Sequence, residues 1–172
     1  MTVSDSVVVA ADALTLWRAV ADPTQMPRWS PENTGAVLES RPQESRPLTV
    51  GETFVGSNRR RAWTVVVARW RTHCVVTISE PGECFEFRVD RFGLRKPSLG
   101  VNIATWRYTF RAVPGGTRVT ETWVDGRQRW PNWAARGFDF FAVTGRTFAA
   151  YQRRNIARTL GNLQADFAQS AT

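Results

Sequence analysis

The chain opens on an apolar, β-rich stretch, VSDSVVVA at residues 3–10, which predicts a first strand. Asp12 then stands where an N-cap belongs, ahead of Ala13, Leu16, Trp17 and Val20 at helical spacing. Asp22-Pro23 ends that helix, because a residue before proline is pushed out of the helical region. PTQMPRWSPEN carries three prolines and leaves room for one short helical turn. TGAVLES then predicts a strand and RPQESRPLTVG a loop, and from there to Asp125 the pattern is almost entirely β.

Two turns organise that β region. Glu80-Pro81-Gly82-Glu83 places a fixed-φ residue before one that tolerates positive φ, so a hairpin closes there. With Ser79 facing Cys84, the pairs running outward are Ile78 with Phe85, Val76 with Phe87 and Cys74 with Val89, all apolar. The other face pairs Thr77 with Glu86, Val75 with Arg88 and His73 with Asp90, a solvent-facing set. This register holds Cys74 and Cys84 too far apart for a disulfide. In the second hairpin, turning at Pro114-Gly115-Gly116, Trp106, Tyr108 and Phe110 share a face with Val119, Glu121 and Trp123 provided the loop length is even. Whether Tyr108 sits directly opposite Glu121 or two residues away depends on that length.

After the connection QRWPNWAARG the chain reads as helical to its end. Ile156, Leu160, Leu163 and Phe167 form one apolar stripe, with Arg153, Arg154 and Arg158 mostly off it. Toward the N-terminus the stripe passes to Gln152, Ala149, Gly145 and Ala142. Small side chains there would leave space between helix and sheet. The expected architecture is therefore α+β: one domain over residues 1–172, with a curved antiparallel sheet wrapped around a long C-terminal helix.

Composition sharpens this picture. Among 172 residues there are eight Trp and ten Phe, more large aromatic surface than ordinary core filling needs, so some rings are expected to line a space. A chain of this length needs no disulfide or metal to stabilise its core. The N-terminus has no basic region followed by an apolar one, and no apolar run reaches the roughly 18–20 residues of a membrane span, so the expected location is the cytoplasm with no transmembrane segment. The net charge of +8 raises the question of polyanionic partners. Its carriers are arginines except for Lys96, alternating with apolar residues or lying on one side of a helix, and they read as solvated groups on the outer sheet face. Arg59, Arg60 and Arg61 form the only run of three. With no zinc-finger, RNP-type or KH-type pattern, nucleic acid is not the expected partner.

The segments VVVAADALTLWRAVADPTQMPRWSPE, GETFVGSNRRRAW, ISEPGECFEF, WRYTFRAVPGGTRVTETW and RNIARTLGNLQADF, in that order, resemble the helix-grip fold of the START/Bet v 1-like (SRPBCC) superfamily, in particular its polyketide cyclase/dehydrase-like branch. The resemblance spans nearly the whole chain. It implies a cavity for a hydrophobic small molecule, lipid-like or polyketide-like. The superfamily includes carriers, receptors and aromatase/cyclases, so it leaves the activity open.

Within that frame Trp29, Phe87, Trp106, Trp123 and Phe148 are the candidate cavity walls, each with core packing as the plainer alternative. Glu121 is the most informative polar residue, since alternation sets it between Val119 and Trp123 on the concave face. A buried carboxylate takes a partner or a proton, and Tyr108 can hydrogen-bond it. Three roles stay open for Glu121: an ion pair with an arginine near the rim, orientation of a ligand's polar group, or general acid/base work with Tyr108 in a cyclisation or dehydration. His73, the only histidine, reads as the partner of Asp90 in a surface ion pair. One imidazole without ligand spacing gives no metal site, and PGG is a hairpin turn, not a phosphate loop. Neither metal nor nucleotide cofactor is expected. The leading expectation is a non-covalent binding or transport module. The alternatives are an enzyme using Glu121 and Tyr108, and a basic surface module for anionic membrane or nucleic acid. The oligomeric state is not readable.

Overall fold

The computed structural model describes residues 1–62, 66–127 and 148–170, with the side chains of 61, 62, 66, 67, 101, 148 and 170 left aside. Strand β1 (Thr2–Val9) leads into helix α1 (Ala13–Val20), a short 3-10 helix (Pro23–Arg28) and strand β2 (Asn33–Leu38). Strands β3 (Thr53–Ala62), β4 (Val66–Glu80), β5 (Cys84–Gly93), β6 (Leu99–Val113) and β7 (Gly116–Asp125) follow, and helix α2 (Phe148–Ser170) ends the described chain. Among the described residues these seven strands form one antiparallel sheet in the order β1-β7-β6-β5-β4-β3-β2. This is the expected architecture, a large antiparallel sheet paired with a long terminal helix. Gly145, Ala142 and the segment QRWPNWAARG lie outside the described residues.

Local chemistry sets the boundaries. The Asp12 carboxylate accepts from the Thr15 backbone N–H at 2.9 Å and satisfies a donor the first helical turn leaves unpaired. Asp22 does the same for the 3-10 helix and is buried. It is tolerated because Thr24, Gln25 and Ser45 all donate to it, the Ser45 hydroxyl at 2.6 Å. The Trp17 indole N–H donates to the Cys84 carbonyl at 3.1 Å and seats α1 against β5.

The second hairpin closes on Pro114-Gly115, with Val113 paired to Gly116, so the loop is even and Tyr108 lies directly opposite Glu121 and Trp106 opposite Trp123. The first hairpin corrects the expected register near its turn. The connection has three residues, Pro81, Gly82 at φ 75° and Glu83, so Glu80 pairs with Cys84, Ser79 with Phe85 and Ile78 with Glu86. A bulge between Val76 and Ile78 absorbs the extra residue and restores Val76 with Phe87, Val75 with Arg88 and Cys74 with Val89. A second bulge sets His73 opposite Arg91 instead of Asp90. Cys74 and Cys84 are free thiols.

Helix α2 buries Ile156, Leu160 and Leu163, each contributing about 1.5–3 kcal/mol if its burial is complete. Polar bonds fix its position: Asn162 donates to the Trp29 carbonyl at 2.9 Å, Gln164 to the Val8 carbonyl at 2.8 Å, and Arg28 pairs with Asp166 at 2.7 Å. No helix among the described residues is long and apolar enough to cross a membrane.

Candidate functional site: a lined cavity with a buried carboxyl

Strand alternation aims one side chain in two at the space between sheet and α2. On β3 these are Phe54, Gly56, Asn58 and Arg60; on β4, Trp70, Thr72 and Cys74; on β6, Ala104, Trp106 and Tyr108. Strand β5 adds Phe87, Val89 and Phe92, the bulge at Asp90 keeping Phe92 on this face, and β7 adds Glu121 and Trp123. Helix α2 contributes Gln152, Asn155 and Thr159, and Met26 and Trp29 come from the 3-10 helix and its cap. Together they enclose a cavity of about 420 Å³. Phe54 and Phe87 meet edge to face, centroids 5.2 Å apart, a contact that holds both rings in place.

Of the residues singled out in the sequence, Trp29, Phe87, Trp106, Tyr108, Glu121 and Trp123 all border this cavity. The side chain of Phe148, at the start of α2, lies outside the described residues. Trp29 and Trp123 are buried, whereas Trp106 is only half-buried.

Glu121 is 1% exposed. The Tyr108 hydroxyl donates to its Oε1 at 2.9 Å, and Oε2 has no hydrogen-bond partner. Its partner is thus a phenol and not an arginine at the rim. Burial pushes the Glu121 carboxyl up to about 8; the Tyr108 bond pulls the other way and the Asp5 charge adds a little to the rise. At neutral pH the group is mostly an uncharged acid. When protonated, the carboxyl carries its proton most favourably on Oε2, because Oε1 accepts from Tyr108. Burial, then the neighbouring Glu121, raise the Tyr108 phenol well above its ordinary value, so it stays a donor. Gln152 presents a second unmatched oxygen, Oε1, from the helix side.

A polar cluster that the sequence reading missed borders the same cavity. Arg60 Nε donates to Glu32 Oε1 at 2.6 Å, and the Tyr151 hydroxyl donates to the same oxygen. The Arg60 guanidinium stacks 4.0 Å from the Tyr151 ring centroid and 5.5 Å from that of Trp70. Arg60 therefore belongs to the cavity wall, not to the solvated outer face, and it ties β3 to α2. The signal was in the sequence: Phe54 faces inward, and two-residue steps from it reach Gly56, Asn58 and Arg60. Tyr151 carried no such signal, since its role depends on how α2 lies over β3.

His73 also departs from expectation. It bonds Asp90 as expected, Nδ1 to Oδ1 at 2.5 Å, but its Nε2 meets Glu39 at 2.9 Å and the residue is only 9% exposed. The bulge at Asp90 and the adjacent Glu39 enclose the ring. Among the described residues no three His, Cys, Asp or Glu side chains gather as metal ligands. Burial pushes the Cys74 thiol up to about 12, so it is no nucleophile near neutral pH.

Solved structures share this fold. Protein NE0264 from Nitrosomonas europaea superposes with a TM-score of 0.64 at 12% identity, over 99% of this chain and 96% of its own. The Polyketide_cyc-like protein Cgl2372 from Corynebacterium glutamicum gives 0.54 at 22% identity, over 99% and 93%. DynU16, a protein of the dynemicin biosynthetic locus, gives 0.56 at 18% identity, over 98% of this chain but 48% of its own length. At these identities the likeness establishes the fold alone, a large antiparallel sheet with a long terminal helix. No curated protein matches the chain. The family model described as "Polyketide cyclase / dehydrase and lipid transport" matches residues 1–168, and the chain belongs to that family.

Proposed function

We propose that the cavity holds a lipid-like or polyketide-like molecule non-covalently, with Glu121 and Tyr108 orienting a polar group of that ligand. The observation that carries this reading is the buried carboxyl of Glu121, a residue of the cavity lining whose Oε2 has no hydrogen-bond partner. An unmatched buried polar group costs about 1–3 kcal/mol, and a ligand carbonyl or hydroxyl at Oε2 removes that cost. The volume of about 420 Å³ falls in the range of small-molecule sites, roughly 300–1,000 Å³, and aromatic walls suit a flat or elongated apolar body.

A substitution that fills the space tests the reading. Ala104 is buried and borders the cavity. Ala104→Phe should keep or raise the melting temperature while weakening the binding of an apolar fluorescent probe at least tenfold. Unchanged probe affinity would place binding elsewhere.

The second reading is catalysis, favoured by the same raised Glu121 pKa of about 8, which suits a general acid near neutral pH. Oε2 would deliver its proton to a departing hydroxyl or to a carbonyl oxygen during water loss or ring closure. Glu121→Gln separates the two: a carrier keeps its affinity within a few-fold, whereas an enzyme loses turnover.

A further inference from the structure

The cavity's neighbouring sheet end has a second character. Leu94 and Leu99, at the β5–β6 connection, are 75% and 61% exposed, although Leu94 also borders the cavity. The connection is compact. A Cβ on Gly93 would stand 1.8 Å from the Lys96 carbonyl oxygen, so only glycine lets the chain fold back there, and the Ser98 N–H closes onto that carbonyl at 2.9 Å. The fold-back projects Leu94, Arg95 and Lys96 into solvent.

Positive charge gathers around these leucines. Arg59 lies directly across from Arg69, Arg71 across from Gly93 and Arg91 across from Gly100, all four arginines exposed. Among the described residues the carboxylates along this end are already engaged: Glu32 by Arg60, Asp90 by His73 and by Arg91 at 4.0 Å, and Asp125 by Arg127. Arg95 and Lys96 are exposed in the same connection as the two leucines, and Arg59, Arg69, Arg71 and Arg91 are exposed on the neighbouring strands.

We propose that this end of the sheet docks on the surface of an anionic lipid bilayer. The arginines and Lys96 would meet lipid phosphates and carboxylates while Leu94 and Leu99 enter the boundary between headgroups and acyl chains. Each basic residue near such a surface adds attraction that fades within a Debye length. The leucines choose between polyanions, since nucleic-acid backbones offer apolar side chains nothing to enter. Docking here sets the cavity border against the bilayer, and it goes beyond the cavity reading without depending on it.

The test is co-sedimentation of the full chain with phosphatidylcholine vesicles, with and without phosphatidylserine. Binding should require phosphatidylserine and fall with added salt. Arg95→Gln with Lys96→Gln should weaken it about thirtyfold. Leu94→Ser with Leu99→Ser should weaken it about tenfold or more at unchanged melting temperature. No binding to phosphatidylserine vesicles would overturn the proposal, as would binding indifferent to the two leucines. Binding that double-stranded DNA competes away in both wild type and leucine variant would assign the charge to nucleic acid instead. Because none of these readings uses probe affinity, failure here leaves the cavity reading standing.

Discussion

At the scale of single residues, Glu121 concentrates the chemistry. Its folded-state pKa of about 8 exceeds the ordinary 4.5, so between these values the native state holds a proton that the unfolded chain releases. Stability is therefore greatest below about pH 4.5 as far as this group is concerned, falls as pH rises toward 8, and levels off beyond. The upper bound is a few kcal/mol, since one pKa unit is about 1.4 kcal/mol. Urea unfolding across this range should show the decline, and Glu121→Gln should flatten it. An equally steep decline in the variant would mean another group titrates. Tyr108 and Glu121 were legible because strand alternation needs only a turn and a count. Arg60 obeys the same count from Phe54, but three consecutive arginines read as a charged surface run, which masks their alternation between faces.

At the scale of elements, helix α2 is held by different chemistry along its length. Ile156, Leu160 and Leu163 pack it apolarly, while near its start the Tyr151–Glu32–Arg60 cluster links it to β3. Burial and the Glu32 carboxylate push the Tyr151 phenol up, which keeps it a donor. Tyr151→Phe should cost about 1.5–3 kcal/mol, the value of a hydrogen bond to a charged group. The loss should be uneven: amide exchange should speed up in the first turns of α2 and stay slow around Leu160 and Leu163. Uniform acceleration would show that the cluster does not anchor that end locally. The elements themselves followed from capping residues, prolines and periodicity. The register of the first hairpin did not, because a three-residue turn and a two-residue turn both fit Glu80-Pro81-Gly82-Glu83. The compensating bulge at Thr77 leaves no sequence mark, since it restores the same apolar pairs farther out.

At the scale of the whole molecule, the sheet and α2 enclose a space instead of closing upon each other. The aromatic excess anticipated such a space; of the stripe expected to turn small, Gln152 borders it, Ala149 is not among its lining residues, and Gly145 and Ala142 lie outside the described residues. Its volume was not legible, since it depends on which rotamers Trp29, Phe87, Trp106 and Trp123 adopt once packed together. Water in a space of about 420 Å³ with largely apolar walls is released when an apolar ligand enters, which is the physical basis of the central claim. Native mass spectrometry of the protein purified from its own host, compared with the denatured spectrum, tests that claim most directly. The account predicts a stoichiometric apolar adduct that denaturation releases and that Ala104→Phe excludes. A protein that carries no adduct, and gains no thermal stability from fatty acids, sterols or aromatic polyketides, would contradict it.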